Sequence, residues 1–172
     1  MREKIIPTNE EKQLNANDFI VSKTNTKGII TYCNEIFMDM AQYSEEELLG
    51  TNHNIIRHPD MPKVAFKVLW QMLQSGQEFF GFVKNLRKGG GYYWVFTNIL
   101  PDYDNSGHII GYTSIRRKAN PQALQTIIPL YQQLVAAERS GGVSAAYDIV
   151  AQLLEEKGMQ FNELTIALQG DM

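Results

Sequence analysis

The chain has 172 residues, 44% of them hydrophobic, with 16 lysines and arginines against 19 aspartates and glutamates and a net charge of −3. That is enough apolar material for one proper core, and the length suits one globular unit with an appended segment. No basic excess points to nucleic acid and no polybasic run to an anionic membrane, so neither is expected as a partner.

The opening MREKIIPTNEEKQLN lacks the apolar centre of a signal peptide, and no apolar run approaches the ~18 residues that span a bilayer. A soluble, cytoplasmic protein without a membrane span is expected. The single cysteine, Cys33, excludes an intramolecular disulfide and reads as a small buried hydrophobe rather than a nucleophile.

In chain order, DFIVSKTNTKGIITYCN reads as two short strands, with Asn25 and Gly28 supplying the turn. EIFMDMAQYSEEELLG gives two short helical pieces. Ser44 is placed to cap the second with Glu47 as capping-box partner, and Gly50 ends it. After HNIIRHPDMP (53–62), KVAFKVLWQMLQSG repeats Val64, Val68, Leu69 and Met72 at helical spacing and stops at Gly76. The period then falls to two. Residues 78–117 hold three strands separated by KGGG and DNSG, an antiparallel meander.

From Asn120 the pattern is helical. Asn120 caps, Pro121 suits the first turn, Pro129 is expected to kink or break the helix, and SGG at 140–142 is a break. A second amphipathic helix follows in VSAAYDIVAQLLEEKG, and the tail can hold a third. The reading is an α+β fold with helices gathered on one face of an antiparallel sheet. The expected divisions are an N-terminal cap over 1–16, a sensor-sized domain over 17–119 and a helical extension over 120–172.

HNIIRHPDMP carries two of the three histidines. As a metal site, His53, His58 and Asp60 supply only three ligands at a spacing that matches no familiar motif. As a catalytic centre it lacks a neighbouring nucleophile. An anion clamp has a mechanism: Pro59 and Pro62 stiffen the approach to a helix starting near Met61, and Asp60 caps it. Arg57 and His58 then flank a helix N-terminus that favours anions. A plain capped turn with Arg57 paired to Asp60 explains the same residue types equally well.

ITYCNEIFMDMAQYSEEELLG, HNIIRHPDMPKVAF, VKNLRKGGGYYWV and GYTSIR, between about Asn17 and Leu134, resemble a PAS sensor domain, and more narrowly the PAS domain of bacterial aerotaxis receptors. The resemblance implies a five-stranded antiparallel sheet with short helices on one face, followed here by the C-terminal helical extension. It also implies noncovalent FAD, with redox or oxygen sensing as in aerotaxis and chemotaxis. It decides for the anion clamp, with Arg57, His58 and Asp60 shaping a dinucleotide pocket.

On the same resemblance Asn34 and Asn85 are expected at the amide edge of the isoalloxazine, His53 against the ring system and Trp70 under adenine. Trp94 is expected near the flavin or at a dimer contact. Light-oxygen-voltage domains carry a reactive cysteine where this chain has His53, and a flavin-binding amide where it has Val95, so cysteinyl photochemistry is not expected. The implied partners are a signalling protein, such as a chemoreceptor or histidine kinase, and a second copy in a homodimer. A haem sensor ligated by His53 or His58 and a cofactor-free dimerisation module using 121–138 and 143–157 are the alternatives. A flavoenzyme ranks last, because no substrate or nicotinamide motif is present.

Overall fold

The computed structural model describes residues 4–171; residues 1–3 of the expected N-terminal cap and residue 172 lie outside the described residues. Five strands form one antiparallel sheet: β1 (Ile20–Asn25), β2 (Ile30–Cys33), β3 (Phe79–Leu86), β4 (Tyr92–Tyr103) and β5 (Ile109–Lys118). Their spatial order is β2-β1-β5-β4-β3, so the β1–β2 hairpin joins the β3–β4–β5 meander through β1 and β5. Helices α1 (Glu35–Ala41) and α2 (Glu45–Leu48), a 3-10 turn (His53–Ile56) and α3 (Lys63–Gln74) lie between the hairpins. This is the α+β arrangement expected from the alternation of periods.

Local chemistry explains the short elements. Ser44 and Glu47 exchange both capping-box hydrogen bonds: the Glu47 N–H donates to Ser44 Oγ at 3.3 Å and the Ser44 N–H to Glu47 Oε2 at 3.0 Å. Gly28 closes the β1–β2 turn at φ +79, a left-handed conformation that costs glycine little. Residues 4–16 run along the β3–β4 hairpin: the Thr8 and Lys12 amides donate to Gly90 and Tyr92 carbonyls at 2.8 Å, and Leu14 is buried with Phe37.

Period two divides the sheet. Ser22, Val83, Asn85, Thr97, Tyr112, Ser114 and Arg116 face a space enclosed by the 3-10 turn and α3. On the opposite face Phe82, Trp94 and Phe96 pack under Ala119 and under Ala123 and Ile127 of the helical extension. That extension is α4 (Pro121–Lys157) followed by α5 (Phe161–Gln169).

Two local expectations are corrected. Pro129 does not break α4; helical torsions are lost only at Gly142, with φ 75 and ψ −177. Proline's fixed φ is itself helical, and Ile127, Tyr131 and Leu134, packed on either side of Pro129, hold the helix through the missing hydrogen bond. Helix α3 begins at Lys63, close to the expected start near Met61, but Asp60 does not cap it. Its N-cap, Pro62, offers no side-chain bond, and the Lys63 and Val64 amides donate to the Glu138 carboxylate of α4 at 3.0 and 2.8 Å.

Candidate functional site

Between the inner sheet face and α3 lies a cavity of about 450 Å³, within the range of small-molecule sites. Ile56, Leu69, Trp70, Leu73, Val83 and Ile99 make its walls apolar. Trp70 meets Tyr112 edge to face with centroids 5.4 Å apart. Polar side chains line it as well: Ser22 on β1, Asn85 on β3, Thr97 on β4, and Ser114 and Arg116 on β5 form a wall on the sheet, while Lys27, Asn52, His53, Asn54 and Arg57 come from outside the strands.

Three of those groups are buried without a hydrogen-bond partner: Asn85 Nδ2, Thr97 Oγ1 and Arg116 Nε. Tyr93 OH, on the residue paired with Asn85 across β3–β4, is a fourth. Burial pushes that phenol up to about 12. Buried donors are normally satisfied, since each costs about 1–3 kcal/mol when left unmade. Asn85, Thr97 and Arg116 line the cavity and mark where a polar ligand fits, whereas Tyr93 lies outside the lining beside Asn85.

His53 stands beside this wall at the start of the 3-10 turn. Its Nε2 lies 3.0 Å from Ser22 Oγ and 3.1 Å from Arg116 Nη1, and Arg116 Nη2 donates to Ser22 Oγ at 2.6 Å. A guanidinium only donates, so Nε2 accepts and the proton of the neutral imidazole sits on Nδ1. Burial, and then the Arg116 charge, hold His53 down at about 3. Arg116 is itself lowered to about 10 by burial and stacks over Phe37 at 4.6 Å.

The cavity opens into an outer groove. Asn54, Arg57, Phe66 and Trp70 line both; His58, Lys63 and Lys67 line the groove alone. The Arg57 guanidinium lies 3.9 Å above the Phe66 ring, and its backbone bridges to Asn85.

The expected site residues therefore divide. Asn85, His53, Arg57 and Trp70 line the cavity. His58 is buried beneath the outer groove, where its Nδ1 accepts from the Asp60 N–H at 3.0 Å and its ring edges onto Tyr92. Asp60 is exposed and pairs with Lys84 at 2.8 Å. The Asn34 amide is consumed as the cap of α1: Oδ1 accepts from the Val21 and Phe37 amides at 3.1 Å, and Nδ2 donates to the Phe19 carbonyl at 2.9 Å. Trp94 lies on the opposite sheet face against Tyr131. Neither Asn34 nor Trp94 lines the cavity, so the structure does not bring either to a ligand held there; a dimer contact, the other place expected for Trp94, is unaffected.

Sequence reading passed over Arg116, Ser22 and Thr97. Period two in GYTSIRR puts Arg116 in phase with Tyr112 and Ser114, a signal that was available. The partnership of Arg116 with Ser22 spans 94 residues and has no local sign. Among the described residues no three His, Cys, Asp or Glu side chains gather as a metal site, and no helix is long and apolar enough to cross a membrane.

Comparison with known proteins agrees with the fold. The aerotaxis receptor of Escherichia coli (strain K12) is 41% identical over 121 residues, which cover 70% of this chain and 24% of the receptor. The chain thus spans about a quarter of that relative. A light-oxygen-voltage domain solved in work on a flavin analogue superposes with a TM-score of 0.57 at 21% identity, covering 69% of this chain and 85% of that one. The blue-light photoreceptor domain of Aureochrome1 in its dark state gives 0.54 at 20% identity, covering 71% and 83%. At those identities the likeness is one of fold. The family pattern for the PAS fold matches residues 30–116, half of the chain, and the protein belongs to the PAS-fold family.

Proposed function

We propose that this PAS domain binds FAD noncovalently and reports redox state or oxygen through its C-terminal helices or a partner protein. The observation that carries the reading is the polar wall of the cavity. Thr97 and Arg116, with the Asn85 amide beside Tyr93, present buried polar groups on the sheet wall of the cavity, hydrogen-bonding groups of the kind that the donor and acceptor atoms on the amide edge of an isoalloxazine require. The whole dinucleotide exceeds the inner cavity, but the outer groove beyond it carries Arg57, Lys63 and Lys67, cations suited to a pyrophosphate. Similarity to an aerotaxis receptor and to flavin-associated light-oxygen-voltage domains supports the same choice.

Bound FAD supplies a reversible electron-accepting centre. The chain's own residues do the rest. The Asn85 amide can present either its NH₂ or its carbonyl to a neighbour whose protonation changes. Arg116 places an uncompensated cation in the slot, favouring negative charge there. Movement of β3 has a route outward, because the Tyr131 hydroxyl of α4 donates to the Phe82 carbonyl at 2.6 Å. Such a response is a shift between two populations rather than turnover.

Haem ligation has no supporting observation. His53 Nε2 is held by Ser22 and Arg116, and a cation at 3.1 Å opposes a metal cation there. Signalling partners of the chemoreceptor or histidine-kinase kind, and a homodimer, belong to the proposal on family grounds. The test is the absorption spectrum of the purified chain, with chromatography of any yellow compound released by heat. Flavin bands and released FAD support the reading; a Soret band, or a colourless protein that refuses added FAD, overturns it.

A further inference from the structure

Helix α4 holds α3 through the groove that an anionic ligand tail would enter. Glu138 accepts from the Lys63 and Val64 amides at 3.0 and 2.8 Å, and its charge favours the ionised Arg57 against partial burial. Four residues later Gly142 interrupts the helix. Beyond that break Lys67 Nζ sits 4.8 Å over the Tyr147 ring. Arg57, Lys63 and Lys67 all line the outer groove. The contacts on both sides of Gly142 therefore draw on the positive groups that a pyrophosphate needs.

Helix α3 is also the partition between cavity and extension. Leu69 and Leu73 line the cavity and belong to the same packed cluster as Leu134 and Ala146 of α4. A change at the groove reaches both sides through one rigid element.

We propose that α4 is a displaceable clasp: an anionic group entering the groove beside Arg57 and Lys67 competes with Glu138 and Tyr147 and loosens the chain beyond Gly142. The identity of that anion as a dinucleotide pyrophosphate rests on the flavin reading above. Like charge repels Glu138 from its cap, and Lys67 exchanges a ring face for a phosphate. Coupling between two sites is reciprocal, so whatever weakens the clasp strengthens anion binding.

The test uses the full chain, with hydrogen exchange read over residues 143–157 and flavin titrations read separately. FAD is expected to raise exchange there at least about fivefold, the lower end of ordinary coupling between sites. Riboflavin, which has the ring without phosphates, is expected to leave it unchanged. Glu138→Gln keeps one acceptor oxygen for the α3 amides but removes the charge; it is expected to bind FAD at least about fivefold more tightly and riboflavin equally. A purely structural Glu138 would leave FAD affinity unchanged or lower in that variant, and this result overturns the clasp. If neither flavin binds, the flavin reading fails by itself. Inorganic pyrophosphate, compared with sodium chloride at equal ionic strength, then serves as the probe: increased exchange over 143–157 upholds the clasp, and unchanged exchange overturns it.

Discussion

The pH dependence of stability tests the most unusual group in the cavity. His53 is held near 3 in the folded chain, against about 6.5 in an unfolded one. Above pH 6.5 both states are neutral and no penalty applies. As pH falls below that value the unfolded chain takes up a proton that the folded chain refuses, so stability is lost progressively and levels off only below the folded value. Each unit is about 1.4 kcal/mol, so moving from pH 7 to pH 5 removes about 2 kcal/mol through this group, and reaching pH 3 removes about 4.

The assay is urea unfolding of ligand-free protein at pH 7 and pH 5, wild type beside His53→Gln, which keeps an acceptor for Arg116. His58 is also lowered, by burial and then by Lys84, and acts in the same direction; it is common to both proteins and cancels. The wild type is expected to lose about 2 kcal/mol more than the variant over this interval. Equal losses would show that His53 takes up its proton as readily in the folded chain as in the unfolded one, and the account of the Arg116–Ser22–His53 cluster would be wrong.

Further predictions follow from the two faces of the sheet. Arg57→Ala is expected to lower FAD affinity at least about tenfold, about 1.4 kcal/mol, in equilibrium dialysis; unchanged affinity removes Arg57 from the site. Trp94→Phe, altered on the far face, is expected to keep FAD affinity within about twofold while lowering the melting temperature, since Trp94 packs against Tyr131. Gln169 is wholly buried, donating to the Lys118 carbonyl at 3.0 Å and accepting from the Asn120 amide at 2.9 Å. Gln169→Ala is expected to cost about 1–3 kcal/mol in denaturant unfolding and to raise hydrogen exchange in α5. Gly111→Ala places a Cβ 2.2 Å from the Thr24 carbonyl oxygen, and loss of exchange protection along β1 and β5 is the expected readout.

Sequence and tertiary structure contributed different parts of this picture. Periods of two and 3.6, the Ser44 and Asn120 caps and the glycine turns are local properties, settled by torsional preference and by which face of an element must be buried. They placed the five strands, the short helices and the extension, and the stretch HNIIRHPDMP pointed to the wall where His53 and Arg57 stand.

Partnerships between distant residues were not legible. Asn34 and Asn85 are the same residue type at the ends of similar strands; only the fold uses one as a helix cap and leaves the other's amide open to the cavity. Asp60 was expected to cap α3, yet Glu138, 75 residues from Lys63, takes its first amides because α4 packs across the helix start. Trp94 and Asn85 sit on adjacent strands but on opposite sheet faces, a matter of register that one residue would reverse. Local sequence determined which elements form, whereas long-range packing decided which side chains meet, because a hydrogen bond or a desolvated charge depends on neighbours that only the closed chain brings together.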